Sequence, residues 1–493
     1  MYTQHSSKPA AIWLPWLLTI VGLVVGTGVG LASGAQPLVL GGAIGTILFV
    51  MTFFLKFEVV VIGLLILRTA IDCFVTLQLP TVFAIGIDAL TILYLIVQLF
   101  RRQKIQTDWF FWWFLGWWLF QGLWLVLMVL GGLGLGAGFL ADSIREWVRI
   151  FSWVVAYFLA MQMKGKIKPR TFIYGLFWSL VVPLTVAVIQ IIAPNVLPGD
   201  LNLNGSSMEG MDGPASEGAR IRGTLGHPNS FVTYTFMFMS LTQWRLSQEK
   251  NKLFWGALLG LLAFFFVSAK ALYSLMMLAV LILVLIAPRL SVLKMVGGII
   301  FFILIISLFG STEFGQERLG SIGKTPLLNP DIDVTRAILL SKGDNNRFNW
   351  RIAQWYQLLG EFNLFPWFGY GLGVSIKIST NDLLPHNDYV RALVEGGVVG
   401  FASFMSFMTM QIVRLVQLWR NAWNNSVQRG FCLALLAIFM ALPAAMLTEN
   451  IWTHTMLFFY LYTFMAIAGW DWSETTEPDS QVKTPRVLGQ SRI

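Results

Sequence analysis

Long apolar stretches separated by polar connections run along most of the 493-residue chain. They lie at about 11–31, 38–55, 59–79, 82–100, 109–132, 145–163, 172–193, 229–246, 252–268, 271–287, 295–310, 388–413, 430–447 and 452–470. Most have the length of about 17–25 residues that a transmembrane helix needs, allowing for tilt. The pattern predicts an all-α fold, a polytopic membrane helix bundle with about 12–14 transmembrane helices.

Charge sets the orientation of this bundle. The chain is 56% hydrophobic and 12% charged, with a net charge of +9. Lys and Arg cluster in short connections, at 101–104, 164–170, 245–252, 289–294 and 414–429. These connections share one side of the predicted bundle, which the positive-inside rule makes cytoplasmic. The excess of basic residues therefore reflects the topology of the chain in a lipid bilayer, and we expect no nucleic-acid partner.

This topology divides the chain into helix groups and loops. We expect N-terminal transmembrane helices over 1–194, an outer loop over 195–228, central transmembrane helices over 229–310, a large outer loop over 311–387, C-terminal transmembrane helices over 388–470 and a cytoplasmic tail over 471–493. The large loop is predicted to be partly helical. Its apolar residues Phe348, Ile352, Trp355, Leu359 and Phe362 recur at spacings of four and three, which is typical of a helix lying on the membrane surface.

One histidine, His386, stands where the large outer loop returns to the membrane. Asn387 and Asp388 are good N-cap residues for the apolar run that follows, which places the imidazole at the interface. Imidazole titrates near neutrality, so the position suits a general base; a polar residue that helps the helix end meet lipid headgroups fits it equally well. His227 and His454 fall on the same side, but without HExxH, CxxC or a His pair at i and i+4 we predict no metal site and no cofactor.

Cations accompany His386 on the predicted outer side. They are Arg220, Arg222, Lys270, Arg347, Arg351 and Arg391. Guanidinium groups bind phosphate oxygens through paired hydrogen bonds and offset the charge on a departing phosphate. The set indicates a phosphate-rich ligand, with ordinary solvated loop charge as the alternative. For Lys270, placed between two apolar spans with almost no loop, that alternative is weaker.

Other ionisable residues lie within predicted membrane helices. Arg68 and Asp72 are one turn apart, and Asp88 lies at a similar depth on the next helix, so Arg68 can pair with either carboxylate. We predict a structural ion pair, because an unpaired charge at that depth is costly. Asp331 and Asp333 form a loop pair of carboxylates that offers a weak divalent-ion alternative.

Three motifs follow one another between residues 175 and 410. Arg222-Gly223 is followed by Pro228-Asn229, then come Gly369, Gly371 and Gly373, and last His386-Asn387 with Glu395-Gly396 and Gly400. Their order and spacing resemble the O-antigen ligase family of bacterial polytopic glycan transferases, which includes O-antigen polymerase-like and exopolysaccharide polymerase-like members. One departure is Ser268-Ala269-Lys270, where many members have Ser-Arg. Lysine keeps the positive charge but lacks the paired N–H donors of a guanidinium group.

The resemblance implies a glycosyltransferase of surface polysaccharide biosynthesis in the bacterial inner membrane, with its active site and both long loops facing the periplasm. Such enzymes move a glycan from undecaprenyl pyrophosphate to an acceptor hydroxyl on a lipid or glycan. The resemblance makes His386 the base for that hydroxyl, and Arg222 the residue that holds the leaving pyrophosphate. Substrate-binding roles are implied for Arg220, Asn229, Lys270, Arg347, Arg351, Asn387 and Arg391.

Three alternatives stay open from the sequence. An O-antigen or exopolysaccharide polymerase of the same superfamily needs the same chemistry with a different acceptor. A polysaccharide transporter or flippase also needs many helices and buried charges, but transporters typically show internal repeats and gather polar groups at the membrane midplane. Here the candidates lie at one surface, which favours an enzyme over a transporter. An inactive membrane scaffold would not require this constellation.

Overall fold

The computed structural model of the chain describes residues 37–74, 77–202, 220–250, 252–269, 271–289, 325–343, 347–380 and 382–473, with scattered positions between 291 and 307. These residues are predominantly helical and contain no β-strand, which confirms the predicted all-α fold. The predicted span at 11–31 and most of that at 295–310 lie outside the described residues.

The chain divides into two compact units, Met1–Gly63 and Leu64–Ile493. The described part of the first unit consists of α1 (Pro37–Leu55) and the beginning of α2 (Phe57–Ile71). Only Lys56 separates the two helices, and the chain bends there by 119°. Together α1 and α2 are long and apolar enough for one broken span or a re-entrant segment.

The second unit contains the rest of α2 and a series of further helices. They are α3 (Leu79–Phe100), α4 (Trp109–Val129), α5 (Leu140–Gln162), α6 (Pro169–Phe177), α7 (Val181–Ile192), α8 (Pro228–Gln248), α9 (Lys252–Ser268), α10 (Leu272–Ile286), α11 (Val334–Gly343), α12 (Arg347–Phe362), α13 (Ser375–Ile378), α14 (Asp388–Asn421), α15 (Ser426–Ala445) and α16 (Thr455–Ala468). The 3-10 turn Trp178–Leu180 joins α6 to α7. The amphipathic helix predicted from the large loop is confirmed as α12.

Five described helical segments are long and apolar enough to cross a membrane, or up to six with the bent α1–α2 pair. They are α3, α4, α6 with α7, α14 and α15. The predicted bundle had more spans for three reasons. Helices α9, α10 and α16 are shorter than a full crossing, α5 and α8 are long enough but carry too many polar residues, and part of the chain lies outside the described residues. The chain is a multi-pass membrane protein.

Helices α8 and α16 form the centre of the second unit, since almost all of their residues are buried. Helix α9 packs along α8, α10 along α15, and α5 along both α4 and α16. Aromatic side chains fill these contacts, as where Trp117 of α4 stacks on Phe407 of α14 with ring centroids 3.7 Å apart. Helix α16 is almost entirely apolar and gains from such all-round burial. Helix α8 also buries polar residues, and Thr235 and Thr242 donate their hydroxyl protons to backbone carbonyls one turn earlier in the same helix.

Helix α14 is broken at Gly397, whose φ of 63° is open to glycine but strained for other residues. The loop before the helix pairs with the backbone groups around this break. Val398 donates its N–H to the Pro366 carbonyl at 2.8 Å, and Tyr370 donates to the Val394 carbonyl at 3.0 Å. The Glu395 carboxylate also accepts the Gly373 N–H at 2.9 Å. The glycine-rich loop, which contains Gly369, Gly371 and Gly373, thus fixes the position of the first turns of α14, the helix that follows His386.

Candidate functional site

His386 lies in the last residues of the large loop, immediately before α14. Its backbone φ is 48°, a left-handed conformation that is uncommon outside glycine and asparagine. Asn387 caps the helix, because its side-chain oxygen accepts the N–H groups of Tyr389 at 3.0 Å and Val390 at 3.1 Å. The cap predicted at Asn387 is confirmed. The imidazole is therefore placed by a capped helix start and keeps 22% of its side-chain surface exposed.

The nearest charged partner of His386 comes from the loop between α15 and α16. The Nδ1 atom of His386 lies 3.4 Å from Oε1 of Glu449. Glu449 is 4% exposed, and its other oxygen accepts a hydrogen bond of 2.6 Å from the Asn229 side-chain amide. The backbone N–H of Asn450 donates to Oε1 at 3.0 Å. Glu449 is thus fixed from two sides while it faces the imidazole.

Two arginines extend this arrangement. Arg220 donates to the Asn229 side-chain oxygen at 2.8 Å and to the carbonyl of Ala269 at 3.0 Å. Arg351 donates to the carbonyl of Thr448 at 3.1 Å, and its Nη2 lies 3.5 Å from His386 Nδ1. We call the set Arg220, Asn229, Arg351, His386 and Glu449 the histidine cluster. It joins the start of α8, helix α12, the end of the large loop and the α15–α16 loop.

The electrostatics of the histidine cluster keep Glu449 ionised. Burial alone would raise the pKa of this carboxyl group. The hydrogen bond and positive charge of His386, with His454 and Arg351 nearby, instead hold the pKa of Glu449 well below its usual range. An ionised carboxylate 3.4 Å from Nδ1 can accept a hydrogen bond from that ring nitrogen and so orient the imidazole.

Helix α12 holds the loop that carries His386. The Gln354 side chain donates to the Ser379 hydroxyl at 2.7 Å and to the carbonyl of Leu383 at 2.8 Å. The Trp355 indole N–H donates to the carbonyl of Pro385. The Trp350 ring meets the imidazole edge-on, with centroids 5.7 Å apart. One face of the predicted amphipathic helix therefore positions both Arg351 and His386.

Arg391 belongs to a neighbouring group of charges. Its guanidinium donates to Glu395 at 2.9 Å and to Glu146 of α5 at 2.9 Å. Glu146 is also paired with Arg149, at 2.5 Å. Asp388 completes the group, accepting the Trp452 backbone N–H at 2.9 Å. We call Glu146, Arg149, Asp388, Arg391 and Glu395 the Arg391 cluster; it ties α5 to the first turns of α14.

A known protein family matches the part of the chain that contains Arg351 and His386. Residues 253–405 match the family described as O-Antigen ligase, and the match runs from α9 into α14. Over these residues the chain is similar to the O-antigen ligase family. No curated protein matches the chain. The family match confirms the resemblance found in the sequence motifs and, with the apolar helices, supports a membrane glycan-processing enzyme.

The residues that match the O-antigen ligase family supply only part of the histidine cluster. Arg351 and His386 lie inside the matched residues, whereas Arg220, Asn229 and Glu449 lie outside them. The cluster is thus assembled by the tertiary fold from segments on both sides of the family match.

The remaining predicted site residues are Arg222, Lys270 and Arg347. Arg222 is 2% exposed and donates to the carbonyl of Asn202 at 3.2 Å, while its backbone N–H donates to the Gln190 side chain at 3.2 Å. These contacts hold Arg222 against α7 and the loop that follows it, and it is Arg220 that reaches Asn229. Lys270 and the side chain of Arg347 lie outside what the structure describes.

The predicted membrane ion pair is confirmed. Arg68 Nη1 lies 2.8 Å from Asp72, whereas Asp88 accepts a hydrogen bond of 2.9 Å from Ser152. In the large loop, Asp333 accepts the Thr335 N–H at 3.0 Å at the start of α11, as a helix-capping residue does. Among the described residues, no group of three or more His, Cys, Asp or Glu side chains is arranged to hold a metal ion.

Glu449 is the residue of the histidine cluster that the sequence motifs missed. It stands in the short segment Thr448-Glu449-Asn450 between two apolar runs, where a charged residue is expensive unless it has a partner or a function. That placement was a usable signal. Its partner was not evident, because His386 belongs to a different loop.

Proposed function

We propose that the chain is an O-antigen ligase-like glycosyltransferase that moves a glycan from undecaprenyl pyrophosphate to an acceptor hydroxyl at the periplasmic face of the bacterial inner membrane. The observation that carries this proposal is the contact between His386 and the buried carboxylate of Glu449. The family match at residues 253–405 supports the reaction class.

In the proposed reaction His386 is the general base. With the Nδ1 proton directed to Glu449, Nε2 is the free ring nitrogen that accepts the proton of the acceptor hydroxyl. The acceptor oxygen then forms a bond to the anomeric carbon as the bond from that carbon to the pyrophosphate oxygen breaks. Glu449 offsets the positive charge that develops on the imidazole, a role that a fixed carboxylate performs without reorganisation.

Arginines beside His386 suit the leaving group. Arg351 and Arg220 belong to the histidine cluster and supply fixed positive charge near the imidazole. We propose that they, with Arg222, Lys270 and Arg347, bind the pyrophosphate and offset its charge as it departs. Asn387 caps α14, and Arg391 donates to two carboxylates. These contacts favour a positioning role for both residues over direct substrate contact.

Purified protein supplied with a polyprenyl-pyrophosphate-linked glycan and a candidate acceptor tests the proposal. We expect release of free polyprenyl pyrophosphate in step with transfer of the glycan, both measured by mass spectrometry. A ligase attaches the glycan to a different acceptor, whereas a polymerase lengthens a glycan that stays on the carrier lipid. Movement of intact donor across a vesicle membrane without pyrophosphate release would contradict the proposal and indicate a flippase.

A further inference from the structure

The Arg391 cluster borders a small cavity within the second unit. Its volume is about 50 Å³. It is lined by side chains from α4, α5, α14 and the turn before α16, including Trp117, Glu146, Asp388, Arg391, Phe404 and Trp452. The lining mixes ionised groups with aromatic rings, which is unusual for a cavity among membrane helices.

Two buried charged groups that line the cavity are incompletely hydrogen-bonded. Asp388 is 2% exposed and Arg391 is 4% exposed. Across the part of the chain that the structure describes, Asp388 Oδ1 and Arg391 Nη1 have no hydrogen-bond partner in the protein. One atom accepts hydrogen bonds and the other donates them. Leaving either atom without a hydrogen bond in a buried site is energetically unfavourable.

The volume of the cavity limits the size of a ligand that can form hydrogen bonds with both atoms. An apolar cavity of about 150 Å³ holds one benzene molecule, so a volume of about 50 Å³ is small for a sugar ring. A water molecule needs only about 10–15 Å³ of such space and two to four polar partners. The cavity has room for a few water molecules, and its charged lining supplies partners of both kinds.

We propose that this cavity is an internal water site, in which ordered water bridges the Asp388 carboxylate to the Arg391 guanidinium. The water completes the hydrogen bonding of the first turn of α14 and hydrates the Arg391 cluster, which fixes α14 against α5. This inference concerns the helix that follows His386, and it does not depend on the proposed transfer reaction.

X-ray hydroxyl-radical footprinting of the purified protein tests the site, because radicals formed from bound water oxidise the side chains beside it. Trp117 is 7% exposed and Trp452 is 8% exposed, and both line the cavity. Trp117 also borders a second, larger cavity between α4 and α14, so Trp452 is the decisive reporter. Trp118 is 8% exposed and stacks on Trp147 outside the cavity lining, which makes it a matched control. We expect oxidation of Trp117 and Trp452 to exceed that of Trp118 at least about twofold, as bound water requires.

A variant with a smaller cavity provides the second part of the footprinting experiment. Gly396 lines the cavity, and a methyl group there would lie 3.7 Å from its nearest neighbour, so Gly396→Ala fits without a clash. We expect this variant to fold and to lower oxidation of Trp117 and Trp452 towards the Trp118 level. Equal oxidation of all three tryptophans in the unmodified protein would overturn the proposal. Unchanged oxidation in a folded Gly396→Ala protein would also overturn it.

Discussion

The Nδ1 atom of His386 lies 3.4 Å from Oε1 of Glu449, and the two residues come from loops that precede different helices, α14 and α16. Asn229, at the start of α8, holds the second oxygen of the same carboxylate. Three chain segments that are distant in sequence therefore meet at the carboxylate of Glu449. The arrangement resembles the carboxylate and histidine pairs that orient a general base in other enzymes.

Replacing the carboxylate tests whether Glu449 positions His386. We expect Glu449→Gln to lower kcat roughly 10²–10⁴-fold, since the amide cannot offset the charge of the protonated imidazole. KM for the donor should change little.

Glu449→Asp is the matched control, because it keeps the charge on a shorter side chain. We expect it to recover part of kcat. If Glu449→Gln lowers only the amount of folded protein, with kcat unchanged, Glu449 is structural and the positioning role is wrong.

Arg220 offers a test of pyrophosphate binding. Its guanidinium reaches Asn229 of the histidine cluster at 2.8 Å. We expect Arg220→Lys to raise the KM for a pyrophosphate-linked donor about tenfold or more, since lysine loses the paired hydrogen bonds. Arg336, an exposed residue of α11, is the control, and Arg336→Lys should leave KM unchanged. Equal KM values in the two variants would remove Arg220 from donor binding.

The glycine-rich loop is expected to tolerate no side chain at Gly369. Its φ is 66°, and an added Cβ would lie 2.4 Å from the Val394 carbonyl oxygen. We expect Gly369→Ala to destabilise the protein by about 2–5 kcal/mol, combining backbone strain with a clash against α14.

Gly360 gives the matched comparison for this loop. It lies in α12, and an added Cβ there would have no atom within 4 Å. Gly360→Ala should therefore leave stability unchanged or raise it by up to about 1 kcal/mol. Thermal unfolding in detergent measures both variants. Similar melting temperatures for the two proteins would show that the loop does not lock α14 as described.

The ion pair between Arg68 and Asp72 is expected to be structural. Arg68→Met leaves the Asp72 carboxylate without its partner 2.8 Å away, and we expect a loss of about 3–5 kcal/mol of stability. Arg68→Met combined with Asp72→Asn should recover part of that loss, because the unpaired charge is removed. A single variant that folds normally but is inactive would instead connect Arg68 with the reaction.

Much of this architecture could be predicted from the sequence. Apolar runs mark the helices, the four-and-three spacing marks α12, and Asn387 marks the start of α14. Each of these signals is local, since it depends on residues a few positions apart. The position of His386 at a helix start followed from the same local reasoning.

The contacts between distant segments could not be predicted in this way. Membrane helices are apolar on most faces, so the pattern does not show which helices are neighbours. Arg68 had two acceptable carboxylates by depth, and only the structure distinguishes Asp72 from Asp88. For the same reason, the meeting of Glu449 with His386 and the pairing of the glycine-rich loop with the break at Gly397 had no sequence signal of their own.

The most direct test of the account is the transfer rate of the purified His386→Asn protein with a polyprenyl-pyrophosphate-linked glycan donor. Asparagine adopts the left-handed backbone that His386 has, with its φ of 48°, so the variant removes the imidazole while it preserves the loop. We predict normal folding and a fall in the transfer rate of roughly 10²–10⁴-fold, as expected for loss of a general base. A folded His386→Asn protein that transfers glycan at the rate of the unmodified enzyme would contradict the account.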